Sequence, residues 1–257
     1  MSSTLPGKIY DLAQPYFAGM PHYPVHPPYL FSLSKLHGEF VLPNGGSSAS
    51  ETLTLGGHVG THIDALSHFS RDGKLHGGVA PTQSYGGGVR EHSVDTIPPI
   101  FRRCVLFDIA GLERVDALPR DFVVEPEHLE ACGVRPPRGG IALIRTGWAR
   151  FWDDAKQYIT GGDGLNVCGP GPAEPAARWL SKHGIFAAGS DTVSFEKVPS
   201  RMEVHVHLLV EEGIHIIECL NLEDLARDGV KEFLFVALPL KLRGGTGSPV
   251  RPVALVD

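Results

Sequence analysis

Three imidazoles and one carboxylate fall within eleven residues of the stretch GHVGTHIDALSHF: His58, His62, Asp64 and His68. Histidine accounts for 13 of 257 residues, so a 19-residue window holds about one on average, whereas residues 58–76 hold His58, His62, His68 and His76. Chance grouping of surface histidines is a poor account of that density. Positions 58, 62, 64 and 68 are all even, so an extended backbone sends the four side chains to one face. A helix would align His58 with His62, but Gly57 and Gly60 disfavour a helix there. A strand followed by a turn fits as well as a strand running to His68. Neutral imidazoles beside a carboxylate are ligands for a divalent transition metal. Between Glu51 and Arg71 no Lys or Arg is available to neutralise Asp64, and a metal cation would do so. Gly57 and Gly60 would let the backbone approach an ion, and the Thr61 hydroxyl is a candidate to orient a ligand.

A second polar group lies downstream in MEVHVHLLVEEGIHIIE, with His205, His207 and Glu218. A helix over 203–211 points His205 and His207 to different faces, so one of them faces a site. Glu218 ends the apolar run IHII, and a carboxylate at a buried strand end is costly unless it is paired or bound to metal. The plainer alternative is an exposed amphipathic helix followed by a strand-end glutamate. Signatures of other chemistries are missing: there is no GxSxG, no GxxxxGK[ST] and no HExxH. The runs GGGVR and GGTGSP read as turns, with a backbone wall beside a ligand as the alternative. Tyr10, Tyr16, Phe17, Tyr23, Tyr29 and Phe31 read as packing residues, of which one or two suit the wall of an aromatic pocket.

These groups need a scaffold to bring them together. VLFDI, IALIRTGW, IFAAGSD, IHIIE and FLFVALPL are short apolar runs suited to buried strands. Between them EPEHLEAC, GPAEPAARWLSKHG, RMEVHVHLLVEEG and NLEDLARDG read as helices, with Gly184 closing the second and Asn221 capping the fourth. Alternating strands and helices predict a single α/β domain over residues 1–257 with a largely buried mixed sheet, its first hundred residues being short strands and long loops. The hydrophobic share of 42% and charged share of 20% are those of a globular protein. A formal charge of -6 argues against nucleic acid or an anionic membrane as partner. No apolar run is long enough to span a bilayer, and no basic segment followed by an apolar core announces a secretory leader, so the expected location is cytoplasmic. Cys104, Cys132, Cys168 and Cys219 are widely spaced and read as reduced, buried thiols.

HVGTHIDALSHF closely resembles HxGTHxDxPxHF, the signature of the metal-dependent cyclase-like hydrolases, a family that includes bacterial kynurenine formamidases and isatin hydrolases. YDLAQPYFAGMPHYP, GSDTVS, HLLVEEGIHIIECLNLEDL and FVALPLKLRGGTGSPVRPVAL are similar to further segments of that family, so the resemblance spans nearly the whole chain. Leu66 departs from the proline that many members carry there. The resemblance implies a swivelling β/β/α-type fold, one or two divalent ions (zinc or manganese) and hydrolysis of a C–N bond in a small aryl formamide or cyclic amide, as in tryptophan catabolism. It further implies that His58, His62 and Asp64 bind the principal ion. His205, preferred to His207 by the Leu208–Leu209 that follows, completes the site with Glu218 or holds a second ion. His68 is then the proton-moving base for water acidified by the metal, with Glu218 as a second candidate for the proton path. A homodimer or homotetramer is the expected assembly. Two other readings compete: a lactonase or polyketide-type cyclase or dehydratase on the same ion, and a binding protein without turnover, which has no need of His68. The chain looks longer than compact kynurenine formamidases, which favours the cyclic-amide group.

Overall fold

The computed structural model describes residues 7–256. Its frame is a nine-stranded sheet. The strands are β1 (Lys8–Asp11), β2 (His62–Asp64), β3 (Ile100–Asp108), β4 (Ile141–Arg145), β5 (Ala187–Ser190), β6 (His215–Glu218), β7 (Glu232–Ala237), β8 (Gly247–Pro249) and β9 (Val253–Val256). They lie in the order β1-β9-β7-β3-β4-β5-β6-β2-β8. The central run β3-β4-β5-β6 is parallel. Both flanks are antiparallel.

The apolar runs explain this arrangement. IALIR of β4 is buried at every position, as a strand covered on both faces must be. One face packs Phe107, Ile144 and Ile216 against Ala177 and Leu180 of the helix Glu174–Lys182 and Leu208 and Leu209 of the helical segment Glu203–Glu212. The other packs Ile63, Leu106, Leu143 and Ile217 against Leu222, Leu225 and Phe235. A third cluster, with Met20, Val59, Trp148, Trp152 and Tyr158, lies beneath the N-terminal arm that carries Phe17, Tyr23 and Tyr29. The α/β fold with a largely buried mixed sheet is the one expected from the sequence, and all four cysteines are buried and unpaired.

Two local outcomes refine the reading. Gly184 follows the helix Glu174–Lys182 at φ 66°, the left-handed geometry expected of a closing glycine. The helix Glu223–Arg227 is capped at Leu222 rather than Asn221. Leu222 is fully buried, which fixes where the turn begins, and the Asn221 side chain accepts the Glu223 N–H at 3.3 Å from one residue earlier. Among the first hundred residues, Leu30–Lys35 and Ser50–Thr54 pair as an antiparallel hairpin outside the main sheet, exposed along almost its whole length. No helix among the described residues is long and apolar enough to cross a membrane.

Candidate metal centre

β2 is three residues long and lies between β6 and β8. Its register sets His62 opposite Glu218, Ile63 opposite Ile217 and Asp64 opposite Ile216. Side chains alternate along a strand, so Ile63 enters the core with Ile217 while His62 and Asp64 emerge on the face that carries Glu218. Directly opposed residues have Cβ atoms about 5 Å apart, close enough for their polar ends to converge. His62 Nε2 lies 3.5 Å from Asp64 Oδ1 and 3.5 Å from Glu218 Oε2. Its Nδ1 is 2.7 Å from the Gly60 carbonyl, so Nδ1–H donates there and Nε2 is the nitrogen left for a ligand.

His58 and His68 lie outside the strand, so the even-position pattern describes only His62 and Asp64; turns supply the other two. His58 Nδ1 lies 2.6 Å from Asp64 Oδ1, and its Nε2 is 2.9 Å from Thr246 Oγ1. The turn after β2 closes with the His68 N–H donating to Ala65 O at 2.9 Å. It stacks the His68 ring on that of His58, centroids 3.8 Å apart.

His205 enters from the segment Glu203–Glu212, whose last seven residues are wound as a π-helix. Its Nε2 lies 3.3 Å from Glu218 Oε1. His207 points the other way, with Nε2 2.9 Å from Ser181 Oγ and Nδ1 2.7 Å from Glu211 Oε2. One histidine of the pair faces the site, as a helix requires, and it is His205.

The donor atoms form two groups, His58–His62–Asp64 and Asp64–His205–Glu218, each with its atoms within 4.8 Å of one another and with Asp64 common to both. Bonds of about 2.1 Å around a tetrahedral cation separate ligand atoms by roughly 3.4 Å, close to the 3.3–3.5 Å found for His62–Asp64, His62–Glu218 and His205–Glu218. The chemistry of the set fits too: every ion-pair partner of Asp64 and Glu218 is a histidine. These residues suit one or two divalent ions.

Electrostatics separate the imidazoles. Burial works to raise the Asp64 carboxyl, but the His68 and His58 rings and hydrogen bonds from His58 and His62 hold it well below the usual range. Burial opposes charge on His205, yet the Glu196 and Glu218 carboxylates beside its two ring nitrogens push it up to about 10. His68 is the opposite case: burial pushes it down to about 3, only partly countered by Asp64. Its ring is therefore neutral, and it lies outside both donor groups.

Several neighbours differ from expectation. Thr61 does not orient a ligand; its hydroxyl donates to Cys219 O at 2.6 Å and accepts the Gln14 N–H at 2.8 Å, tying the arm to the end of β6. Thr246 is the hydroxyl that meets a candidate ligand, His58. Gly60 is needed for its φ of 68° and for the Tyr16 ring, which a Cβ would strike at 1.7 Å, rather than for approach to an ion. Gly57 is needed because a Cβ there would lie 2.8 Å from Gly247 O. GGTGSP begins as the turn expected, with the Gly245 N–H donating to Leu242 O at 3.1 Å, and then enters β8 as a backbone wall beside His58: a Cβ on Gly247 would lie 2.4 Å from His58 Cε1. A cavity of about 810 Å³ borders the outer side of this wall, lined by Gly57, Tyr85, Val89, Leu242, Thr246 and Gly247 but by none of the donors. On the donor side, the His26 ring lies 5.3 Å from His58, 6.2 Å from His68 and 5.6 Å from Tyr23, so the N-terminal arm forms the rim. His26, Thr246 and Glu196 escaped the sequence reading. Only Thr246 carried a signal, its place in the glycine-rich GGTGSP.

The cyclase family model matches residues 10–197, and the chain belongs to that family. Among its relatives are the kynurenine formamidase of Bordetella petrii, 26% identical over 96% of this chain and 97% of that protein, and the kynurenine formamidase of Bacillus cereus, 29% identical over 95% of each. The solved structure of isatin hydrolase A from Ralstonia solanacearum is 25% identical and superposes with a TM-score of 0.76 over 97% of this chain and 92% of that one. Near-complete coverage in both directions removes chain length as a means of separating the two kinds of relative. The family match stops short of His205 and Glu218, but the full-length likenesses run through them.

Proposed function

We propose that this chain is a metal-dependent hydrolase that cleaves a C–N bond of an aryl formamide or cyclic amide such as N-formylkynurenine or isatin. The observation that carries the reading is His62 Nε2, set 3.5 Å from carboxylate oxygens on two different strands. Full-length likeness to kynurenine formamidases and to an isatin hydrolase supports the choice of bond.

His58, His62 and Asp64 hold the principal ion, zinc or manganese, and Asp64, His205 and Glu218 hold a second where two are bound. When bound, such an ion supplies Lewis acidity that polarises a carbonyl and acidifies water. The rest is the work of the chain. Gly60 O and Thr246 Oγ1 fix the rings of His62 and His58. Neutral His68 takes a proton from the attacking water and returns it to the leaving nitrogen. Hydroxide oxygen adds to the carbonyl carbon, the C–N bond breaks, and a carboxylate and an amine result. Glu218, with His62 and His205 on its two oxygens, is assigned to holding an ion rather than carrying protons. Tyr23 and His26 offer flat faces to an aryl substrate at the rim.

The whole chain is read as one cytoplasmic hydrolase domain that assembles as a homodimer or homotetramer. The hairpin supports assembly: an isolated two-stranded ribbon is marginal in water, and Phe31, Leu33 and Leu53 are about half exposed on it. Turnover of N-formylkynurenine, isatin and a set of small lactones by purified protein of measured metal content tests the function. Turnover of lactones alone overturns the amide reading, and a metal-filled protein inert to all of them favours a binding protein.

A further inference from the structure

Glu196 is 1% exposed, and among the described residues the only charged or titratable side chain paired with it is His205. Its Oε2 accepts the backbone N–H groups of Val204 at 2.6 Å and His205 at 3.3 Å. Its Oε1 accepts the Ser200 hydroxyl at 2.8 Å and lies 3.5 Å from His205 Nδ1. That nitrogen is buried and makes no hydrogen bond of normal geometry among the described residues. The preceding residue serves the neighbouring donor: the Phe195 N–H donates to Glu218 Oε1 at 2.7 Å. Adjacent residues thus grip both His205 and Glu218, from a segment that contributes no donor to either group.

An imidazole offers a lone pair on one nitrogen only when its proton is held on the other, and the partner of the second nitrogen decides which. Glu196 is the polar group facing Nδ1, while Nε2 faces Glu218 at 3.3 Å. We infer that Glu196 is the positioning residue that holds the proton of His205 on Nδ1 and so turns Nε2 towards a divalent ion shared with Asp64 and Glu218. The inference rests on the metal-dependent reading above. Glu196 touches neither substrate nor ion; it acts through His205. A cavity of about 370 Å³ is bounded by Glu196, Ser200, Glu203 and Val204 among others, but not by His205.

Glu196→Gln tests this, because its amide oxygen can keep the Val204 and His205 N–H groups at the Oε2 position. Its NH2 takes the place of Oε1, where it can donate to the Ser200 hydroxyl but can no longer accept a proton from His205 Nδ1. Manganese titration of the metal-free full-length protein should give two ions per chain in the wild type. In Glu196→Gln the tighter ion should be retained and the second weakened by about 10–100-fold. His205→Ala should lose the second ion, and adding Glu196→Gln to it should change nothing further. In zinc-loaded wild type, long-range ¹H–¹⁵N spectra should show the His205 proton on Nδ1, a reading that does not require the variant to fold. Two ions of wild-type affinity in Glu196→Gln, or a His205 proton on Nε2, overturn the inference and leave the hydrolase reading intact. One ion in the wild type does the same. No ion in the wild type overturns the metal-dependent reading itself.

Discussion

His62 on β2 stands directly opposite Glu218 on β6, and its Nε2 lies 3.5 Å from one Glu218 oxygen and 3.5 Å from an Asp64 oxygen two residues along its own strand. The pair is a product of register. A slip of one residue would send His62 and Asp64 into the core and bring Ile63 to the site. Ile63 and Ile217, fully buried behind them, prevent that slip.

His62→Ala should accordingly lose metal before it loses fold. The variant removes a buried imidazole but leaves Ile63, Ile217 and the strand pairing in place. Metal content by elemental analysis should fall to a small fraction of wild type, and hydrolysis with it. The metal-free forms of variant and wild type should melt within a few degrees of each other. Added zinc or manganese should raise the melting temperature of the wild type alone, since an ion at a hundred times its Kd stabilises by about 2.7 kcal/mol. A His62→Ala protein that keeps its ion and its turnover contradicts the assignment.

The two glycines that border the site should behave differently when replaced by alanine. At Gly247 the new Cβ falls 2.4 Å from the His58 ring, so the disturbance lands on a candidate ligand. Activity and metal affinity should each fall at least about tenfold, a loss of roughly 1.4 kcal/mol, with a modest change in melting temperature. At Gly60 a left-handed backbone and the Tyr16 ring at 1.7 Å oppose any side chain. Strain of roughly 1–2 kcal/mol joins overpacking of about 1–3 kcal/mol, so Gly60→Ala should lose stability foremost. Thermal melts paired with metal titration separate the two.

Much of the site was legible because its donors are dense and local. His58, His62, Asp64 and His68 occupy one short stretch, and a helix around 203–211 could present only one of His205 and His207. What escaped came from distant segments whose residue types are ordinary in isolation. Thr246 reaches His58 across 188 positions, and Glu196 in SFEKVP looks like any surface glutamate until its burial is known. Gly57 and Gly60 were marked correctly as special, but the cause is packing against Gly247 and Tyr16, which no local pattern encodes. The fold followed more directly from sequence, since buried parallel strands declare themselves as runs such as IALIR. The strands of the Leu30–Thr54 hairpin fall in stretches that read as strands and loops, but its place outside the main sheet was not legible, because its exposure shows only when that sheet forms without it.

Asp191 should leave a signature in the pH dependence of stability. Its buried carboxyl accepts hydrogen bonds from Thr146 N, Thr146 Oγ1 and Gly147 N at 2.7–2.8 Å. Burial nonetheless pushes it up to about 6 from 3.8. A folded-state pKa above the unfolded one means that the folded chain holds the proton more tightly. The stabilisation is therefore fully present below pH 3.8 and fades as pH rises through about 6. Asp191→Asn cannot titrate. The wild type's advantage over Asp191→Asn should grow by on the order of 2 kcal/mol between pH 7.5 and 4.5, read as the difference in denaturation free energies. An advantage that is flat or shrinks over that range contradicts this account.

His68 offers the sharpest separation between holding an ion and moving a proton. Its ring stacks on His58 at 3.8 Å yet belongs to neither donor group. His68→Ala should therefore keep wild-type metal content while kcat falls by about 10²–10⁴, the usual contribution of a positioned general base. Added imidazole, small enough to enter the space left by the ring, should restore part of the rate in proportion to its concentration without altering metal content. Loss of metal on the same substitution would place His68 among the ligands. Full activity without it would return the proton transfer to Glu218, whose two oxygens already face His62 and His205.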